Sequence, residues 1–137
     1  MSVRVQREDF DLAKELAKLQ AGRTDVGAIC TFTGTVRDVP LALEHYPGMT
    51  EAALQAIHQD AIARFDVLDA SLIHRYGPLE PADNIVLVIA LSRHRQAAFD
   101  AANFMMDRLK TDAPFWKLEE GEWIEQRKQD IEALKRW

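Results

Sequence analysis

An α+β domain, with helices packed on a mostly antiparallel sheet, is what this 137-residue sequence predicts. Three observations carry that reading. Segments of helical and strand period interleave along the chain, and the turn signals between them are short. One run, Ile85 to Leu91, is apolar and rich in β-branched residues without alternation, as a strand buried on both faces requires. Hydrophobic residues at 47% and charged residues at 28% match an ordinary globular chain, and the length fits a single domain over residues 1–137.

The elements follow in order. Phe10 to Gln20 reads as a short helix with Leu12, Leu16 and Leu19 on one face and Gly22 as its stop. Val26 to Val36 reads as a strand, with Val26, Ala28, Cys30 and Phe32 on one face and Ile29 with three threonines on the other. Leu41 to Tyr46 is a second strand, ended by Pro47-Gly48. Thr50 is placed to cap a helix whose apolar stripe is Leu54, Ile57, Ala61, Ile62 and Phe65. Ala70 to Tyr76 is a strand, and Gly77-Pro78 and Pro81 to Asn84 are turn material. Ile85 to Leu91 is the central strand. Ser92 is the expected cap of a helix running to about Lys110, with Ala98, Ala101, Ala102, Met105 and Leu109 inward, and Pro114 ends it. Phe115 to Leu118 and Glu122 to Glu125 are short strands around Gly121, and Gln126 to Trp137 reads as a charged helix.

Composition excludes several classes. No apolar run is long enough to span a bilayer, and the first ten residues hold no secretion-signal core. One cysteine, Cys30, forms no internal disulfide and builds no zinc site alone, so a reducing, cytoplasmic setting is expected. A net charge of −5 disfavours general nucleic-acid binding but leaves room for a local basic pocket. P-loop, dinucleotide-binding and nucleophile-elbow patterns are absent from the sequence.

Three places hold candidate chemistry. Ser92-Arg93-His94-Arg95 puts cations in the first turn of a helix, against the dipole preference. That arrangement suits a bound phosphate or carboxylate, although a solvated turn paired with surface acids has the same pattern. Lys110 and Lys117 flank a proline-forced turn and could reach one cleft beside Phe115 and Trp116. A lysine near another cation, or desolvated by aromatic walls, becomes a usable acid or base. The plainer alternative is that Lys110 complements a helix end and Lys117 lies along a strand edge. Arg37 follows Gly34, which marks a bulge or close approach, and its guanidinium suits a phosphate or else Asp38 or Glu44. His45, His74 and Cys30 read as structural.

At these residues the sequence resembles the large, catalytic subunit family of molybdopterin synthase. The matching segments are GAICTFTGTVRD (27–38), LEHYPGMTEAAL (43–54), IHRYGPLEPAD (73–83), SRHRQAAFDAANFMMDRLKTDAPFWKLE (92–119) and EW (122–123). The resemblance implies an α/β-hammerhead-like fold and a sulfurtransferase of molybdenum-cofactor biosynthesis. A small ubiquitin-like carrier ending in a Gly-Gly thiocarboxylate would supply two sulfurs to cyclic pyranopterin monophosphate (precursor Z). The product would be the dithiolene of molybdopterin. It implies a heterotetramer built on a homodimer of large subunits. It implies Lys110 and Lys117 as catalytic residues, and Arg37, His94, Arg95, Phe32 and Arg127 as substrate-binding residues. In the family dimer the His-Arg pair reaches a substrate pocket shared between subunits. No metal or organic cofactor is expected, because the sulfur arrives on a protein. One departure stands out: family members carry a longer, polar, Gly-rich loop where this sequence has only Val39-Pro40-Leu41-Ala42. Two other classes compete, a module that docks a ubiquitin-like tail without chemistry and a phosphate-ligand binding domain that needs no carrier.

Overall fold

The computed structural model describes residues 3–119, 122–124 and 137. Two sheets share the work. The first has the order β1-β4-β6-β2 and the second β5-β3-β7-β8. In chain order the strands are β1 (Val3–Gln6), β2 (Ala28–Thr35), β3 (Leu41–His45), β4 (Val67–Arg75), β5 (Gly77–Leu79), β6 (Asn84–Ser92), β7 (Phe115–Glu119) and β8 (Glu122–Ile124). The helices are α1 (Leu12–Gln20), α2 (Met49–Arg64) and α3 (Arg95–Asp112). Every ladder is antiparallel except β1 with β4. The α+β expectation therefore holds.

Strand β6 is the centre, flanked by β4 and β2, and Val86 to Ser92 are all buried. Alternation sends Leu72, Val88 and Ala90 toward α2 and α3, where they meet Leu54, Ile57, Ala101 and Met105. Ile73, Leu87 and Ile89 go to the other face, under α1, with Phe10 and Leu19. Each such side chain, fully buried, stabilises the fold by about 1.5–3 kcal/mol before entropy is charged. A third cluster, Val36, Leu43 and Leu79, joins the first sheet to the second.

Several elements depart from the sequence reading. Strand β1 was not foreseen, because four residues pairing with β4 far along the chain leave little local pattern. Gly77-Pro78 belongs to strand β5, not to a turn, with Gly77 at φ +93°. Helix α2 starts earlier than expected, with Gly48 as its N-cap and the Gly48 N–H donating to Glu51 Oε1 at 2.9 Å. Thr50 is buried inside the first turn. Its hydroxyl donates to the Pro114 carbonyl at 2.8 Å and accepts from Tyr46 N–H at 3.0 Å. Ile62 is exposed. Ser92 closes β6, and His94 is the N-cap of α3. The expected helix 126–137 lies outside the described residues, apart from Trp137. The Trp137 ring meets Phe65 and Phe104 edge-on, and its indole N–H donates to Asp107.

Candidate functional site

The start of α3 forms as it does because two strands meet there at close range. Gly27 N–H donates to the Ser92 carbonyl at 2.9 Å. A Cβ on Gly27 would stand 2.2 Å from the Arg93 carbonyl oxygen, so only glycine lets β2 begin beside this junction. Ser92 Oγ donates to the Asp66 carbonyl at 2.7 Å and accepts from His94 N–H at 3.3 Å. Arg93 faces Asp25 at 3.9 Å. His94 and Arg95 are exposed and have no ion-pair partner among the described residues. The first turn holds no acidic residue. The Arg95 guanidinium, with the His94 ring beside it at a helix N-terminus, suits an anion.

The lysines lie at the other end of the helix. Lys110 is in the last turn of α3, and Pro114 turns the chain into β7. Within β7, Phe115 pairs with His45 and Lys117 with Leu43. Strand alternation puts Phe115 and Lys117 on one face of the second sheet. Phe115 stacks on His74 with centroids 4.0 Å apart and planes 24° apart. His74 lies on the α3 side of β4. Burial, and to a lesser degree the Lys110 charge, depresses its pKa to about 4, against the opposing hydrogen bond to the Arg75 carbonyl. Both lysine-bearing segments thus converge on the His74–Phe115 stack. Trp116 does not join them. It projects from the opposite face, 6.3 Å from the Tyr46 ring, which corrects the expected cleft between Phe115 and Trp116.

Arg37 follows the end of β2. The register of β2 shifts between Gly34 and Thr35, the bulge that Gly34 signalled. Val36 is buried and bonds Asp83 and Ala82 through its backbone. Val39 N–H then bonds the Arg37 carbonyl at 2.8 Å around Asp38, whose φ is +70°. A three-residue turn with a left-handed centre is a tight way to reverse a chain. It makes the connection to β3 short and leaves Arg37 exposed, 3.8 Å from Asp38. Phe32 sits midway along β2 and is 43% exposed, although its strand face points toward α3. Arg127 lies outside the described residues.

These side chains form two groups. Gly34, Val86 and His74 stand in one row across the first sheet, while Ala28, Ser92 and Val67 stand in the row at the other end. Six residues separate the rows along β2 and β6, about 20 Å at the rise of a strand. Lys110, Lys117 and Arg37 belong to the first end, and His94 and Arg95 to the second. Within one chain the expected substrate-binding set is therefore divided.

Other candidates are quiet. Burial raises the Cys30 thiol above its usual range, which suits an inert side chain better than a nucleophile. Among the described residues no cluster of ligands could hold a metal, and no helix is long and apolar enough to cross a membrane. His45 and His74 read as structural in the sequence. Both flank Phe115, and the LEHY and IHRY segments that carry them were the available signal.

Comparison with known proteins places the fold in a family. The family model described as MoaE protein matches residues 5–112. A molybdopterin synthase catalytic subunit from Mesorhizobium japonicum is 51% identical over 99% of this chain and 92% of its own length. One from Rhizobium meliloti is 51% identical over 100% of this chain and 96% of its own. The structure of a molybdopterin biosynthesis MoaE protein from Burkholderia ambifaria superposes with a TM-score of 0.90. It is 47% identical and covers 100% of this chain and 98% of that one. Fold and sequence together define an enzyme of molybdenum-cofactor biosynthesis. The chain belongs to the MoaE protein family. The Rhizobium alignment spans 148 positions against 137 residues here, so the relative holds extra residues within the aligned region. A shortened connection between β2 and β3 fits that difference.

Proposed function

We propose that this chain transfers sulfur from the C-terminal thiocarboxylate of a small ubiquitin-like carrier to cyclic pyranopterin monophosphate, in two rounds, to give the dithiolene of molybdopterin. The observation that carries the reading is the convergence of Lys110 and Lys117 on the His74–Phe115 stack, beside a strand end that presents Arg37. The name borne by the relatives, catalytic subunit, supports a companion subunit as the sulfur donor.

The chemistry follows from residue types. Attack of the thiocarboxylate sulfur on the pterin side chain forms a C–S bond and expels an oxygen, and water then cleaves the acyl–sulfur bond, leaving the sulfur on the pterin and releasing the carrier as a carboxylate. An ammonium group can deliver the proton that oxygen needs and stabilise the charge that develops. Lys110 is the main acid/base in this scheme, and Lys117 positions the thiocarboxylate. Arg37, His94 and Arg95 hold the phosphate through charge-assisted bonds, Phe32 walls the pterin, and Arg127 adds a cation. A small pterin phosphate does not span two sites about 20 Å apart. The reading therefore takes His94 and Arg95 from a second copy, in a homodimer that binds one carrier at each end. The protein works in the cytoplasm as a single catalytic domain.

The test is a reconstituted turnover with thiocarboxylated carrier and precursor Z, product being read as an oxidised fluorescent pterin. Lys110→Ala is expected to lower the rate by about a hundredfold or more, the scale of a lost general acid. Lys117→Ala should also be slow. Near-normal transfer in both variants would sink the assignment. Tight carrier binding without product in the wild type would favour a docking module.

A further inference from the structure

His74 is a buried titratable group that sulfur transfer, as set out above, leaves without a task. It is 8% exposed, and its Nδ1 lies 2.8 Å from the Arg75 carbonyl oxygen. A carbonyl only accepts, so Nδ1 carries the proton and the neutral ring keeps its lone pair on Nε2. The ring is thus fixed at its back edge. Its face meets Phe115, the first residue of the strand that carries Lys117.

That strand begins at Phe115, which packs against the main core. Its ladders run to β3 and β8 within the second sheet. Two directed contacts reach from its start toward the rest of the molecule. One is the Thr50 hydroxyl on the Pro114 carbonyl, and the other is the His74–Phe115 stack. The second lies on the face that Lys117 shares. The stack is also next to the end of α3, where Lys110 stands.

We propose that His74 is a positioning residue for sulfur transfer: its ring, held from behind by the Arg75 carbonyl, seats Phe115 and so sets where Lys117 stands relative to Lys110. The inference rests on the sulfur-transfer reading and names the part that holds its two lysines in register. The neutral ring suits the place. Lys110 from α3 is the charge that acts on it, Lys117 follows two residues after Phe115 on β7, the Arg75 guanidinium turns to the Arg7 and Asn84 carbonyls, and His45 pairs with Phe115 with Glu51 3.9 Å beyond. An imidazolium here would add a further positive charge beside lysines that must act on an anion.

The experiment compares His74→Ala, His74→Asn and His74→Phe in the full chain. Phenylalanine keeps a ring for Phe115, whereas alanine and asparagine do not. Misplacing a reacting group by an ångström costs up to about a hundredfold, so kcat should fall roughly 10- to 100-fold in H74A and H74N. The KM for the carrier should stay within about threefold, and H74F should recover most of the rate. A purely structural role would lower the unfolding midpoint without that split or that rescue. Folded H74A or H74N with wild-type kcat would overturn the proposal, as would H74F as slow as H74N. Should H74A not fold, the asparagine and phenylalanine variants decide. A second readout needs no turnover: acetylation of Lys110 and Lys117 by limiting acetic anhydride, read by mass spectrometry. Their relative reactivity should change in H74N and not in H74F, and an unchanged ratio in H74N refutes the positioning role. Wild type without product would instead count against sulfur transfer, while the acetylation ratio still judges His74.

Discussion

Replacing Gly27 by alanine tests how the anion end of α3 is held. A methyl group there would lie 2.2 Å from the Arg93 carbonyl oxygen and 3.1 Å from its carbon. Nonbonded carbon and oxygen do not tolerate the first distance, so the two backbones must part by about 1 Å, at an overpacking cost of about 1–3 kcal/mol. The bond from Gly27 N–H to the Ser92 carbonyl, 2.9 Å long, would stretch with them, losing about 1 kcal/mol. Against this, alanine restricts the unfolded chain and returns about 0.4–1 kcal/mol. The balance is a loss of about 1–3 kcal/mol, and its sign is set by the backbone contact.

The displacement falls on Arg93, the residue before His94 and Arg95. Urea unfolding should therefore show a lower midpoint with an unchanged slope. Steady-state kinetics should show a higher KM for the pterin phosphate with a smaller change in kcat, because the lysines lie at the far end of the helix. A G27A variant as stable as the wild type, with the same KM, would mean that the close approach does not govern this end of the site.

Further outcomes follow from the same structure. Cys30→Ser should keep full sulfur transfer, and the native thiol should alkylate slowly at neutral pH, since burial holds it protonated; loss of transfer with the fold intact would refute this. Thr50→Val removes a buried hydroxyl bonded to Pro114 and Tyr46, which should cost about 1–3 kcal/mol in urea unfolding; an unchanged midpoint would refute it. His74 has a folded pKa of about 4, so between there and its ordinary value near 6.5 the unfolded chain binds more protons and stability falls as pH falls, by up to about 3 kcal/mol. His74→Phe should flatten that part of the stability–pH curve, and an unaltered slope would count against the buried neutral histidine.

Local pattern explains what could be read in the sequence. The stripe Ala98, Ala101, Ala102, Met105 and Leu109 is buried throughout, and the run 85–91 lies in the central strand, because burial on one face or on both leaves a periodic trace. The β2 alternation is also right: Cys30 packs toward the α2–α3 core, while Ile29 faces the other way. What escaped depends on partners far along the chain. Strand β1 exists because β4 receives it, and Gly77–Leu79 is a strand because β3 does. Ser92 and Thr50 have the chemistry of caps, yet both spend their hydroxyls on distant carbonyls, Asp66 and Pro114. The site shows the same division. Charge and spacing mark Lys110, Lys117 and the His94-Arg95 pair only as candidates beside plainer structural roles, and the family resemblance supplies their proposed functions, whereas the contact that brings both lysine segments together, His74 on Phe115, joins residues from two sheets.

The division of the site between two ends of the molecule gives the proposed homodimer a sharp test. A site that takes its lysines from one chain and its His-Arg pair from the other can be complemented. Lys110→Ala and Arg95→Ala chains, each nearly inactive alone, would be mixed in equal amounts under conditions that let dimers exchange. Half of the dimers are then mixed. In each of those, one site has both defects and the other pairs native Lys110 of one chain with native Arg95 of its partner. Activity should return to about a quarter of the wild-type value, since one site in four is whole. If each chain built its site alone, every site in the mixture would carry a defect and no activity would return. Recovery well above the sum of the separate variants requires a shared site, and its absence, with exchange verified by mass spectrometry, would remove the second copy from the proposed mechanism.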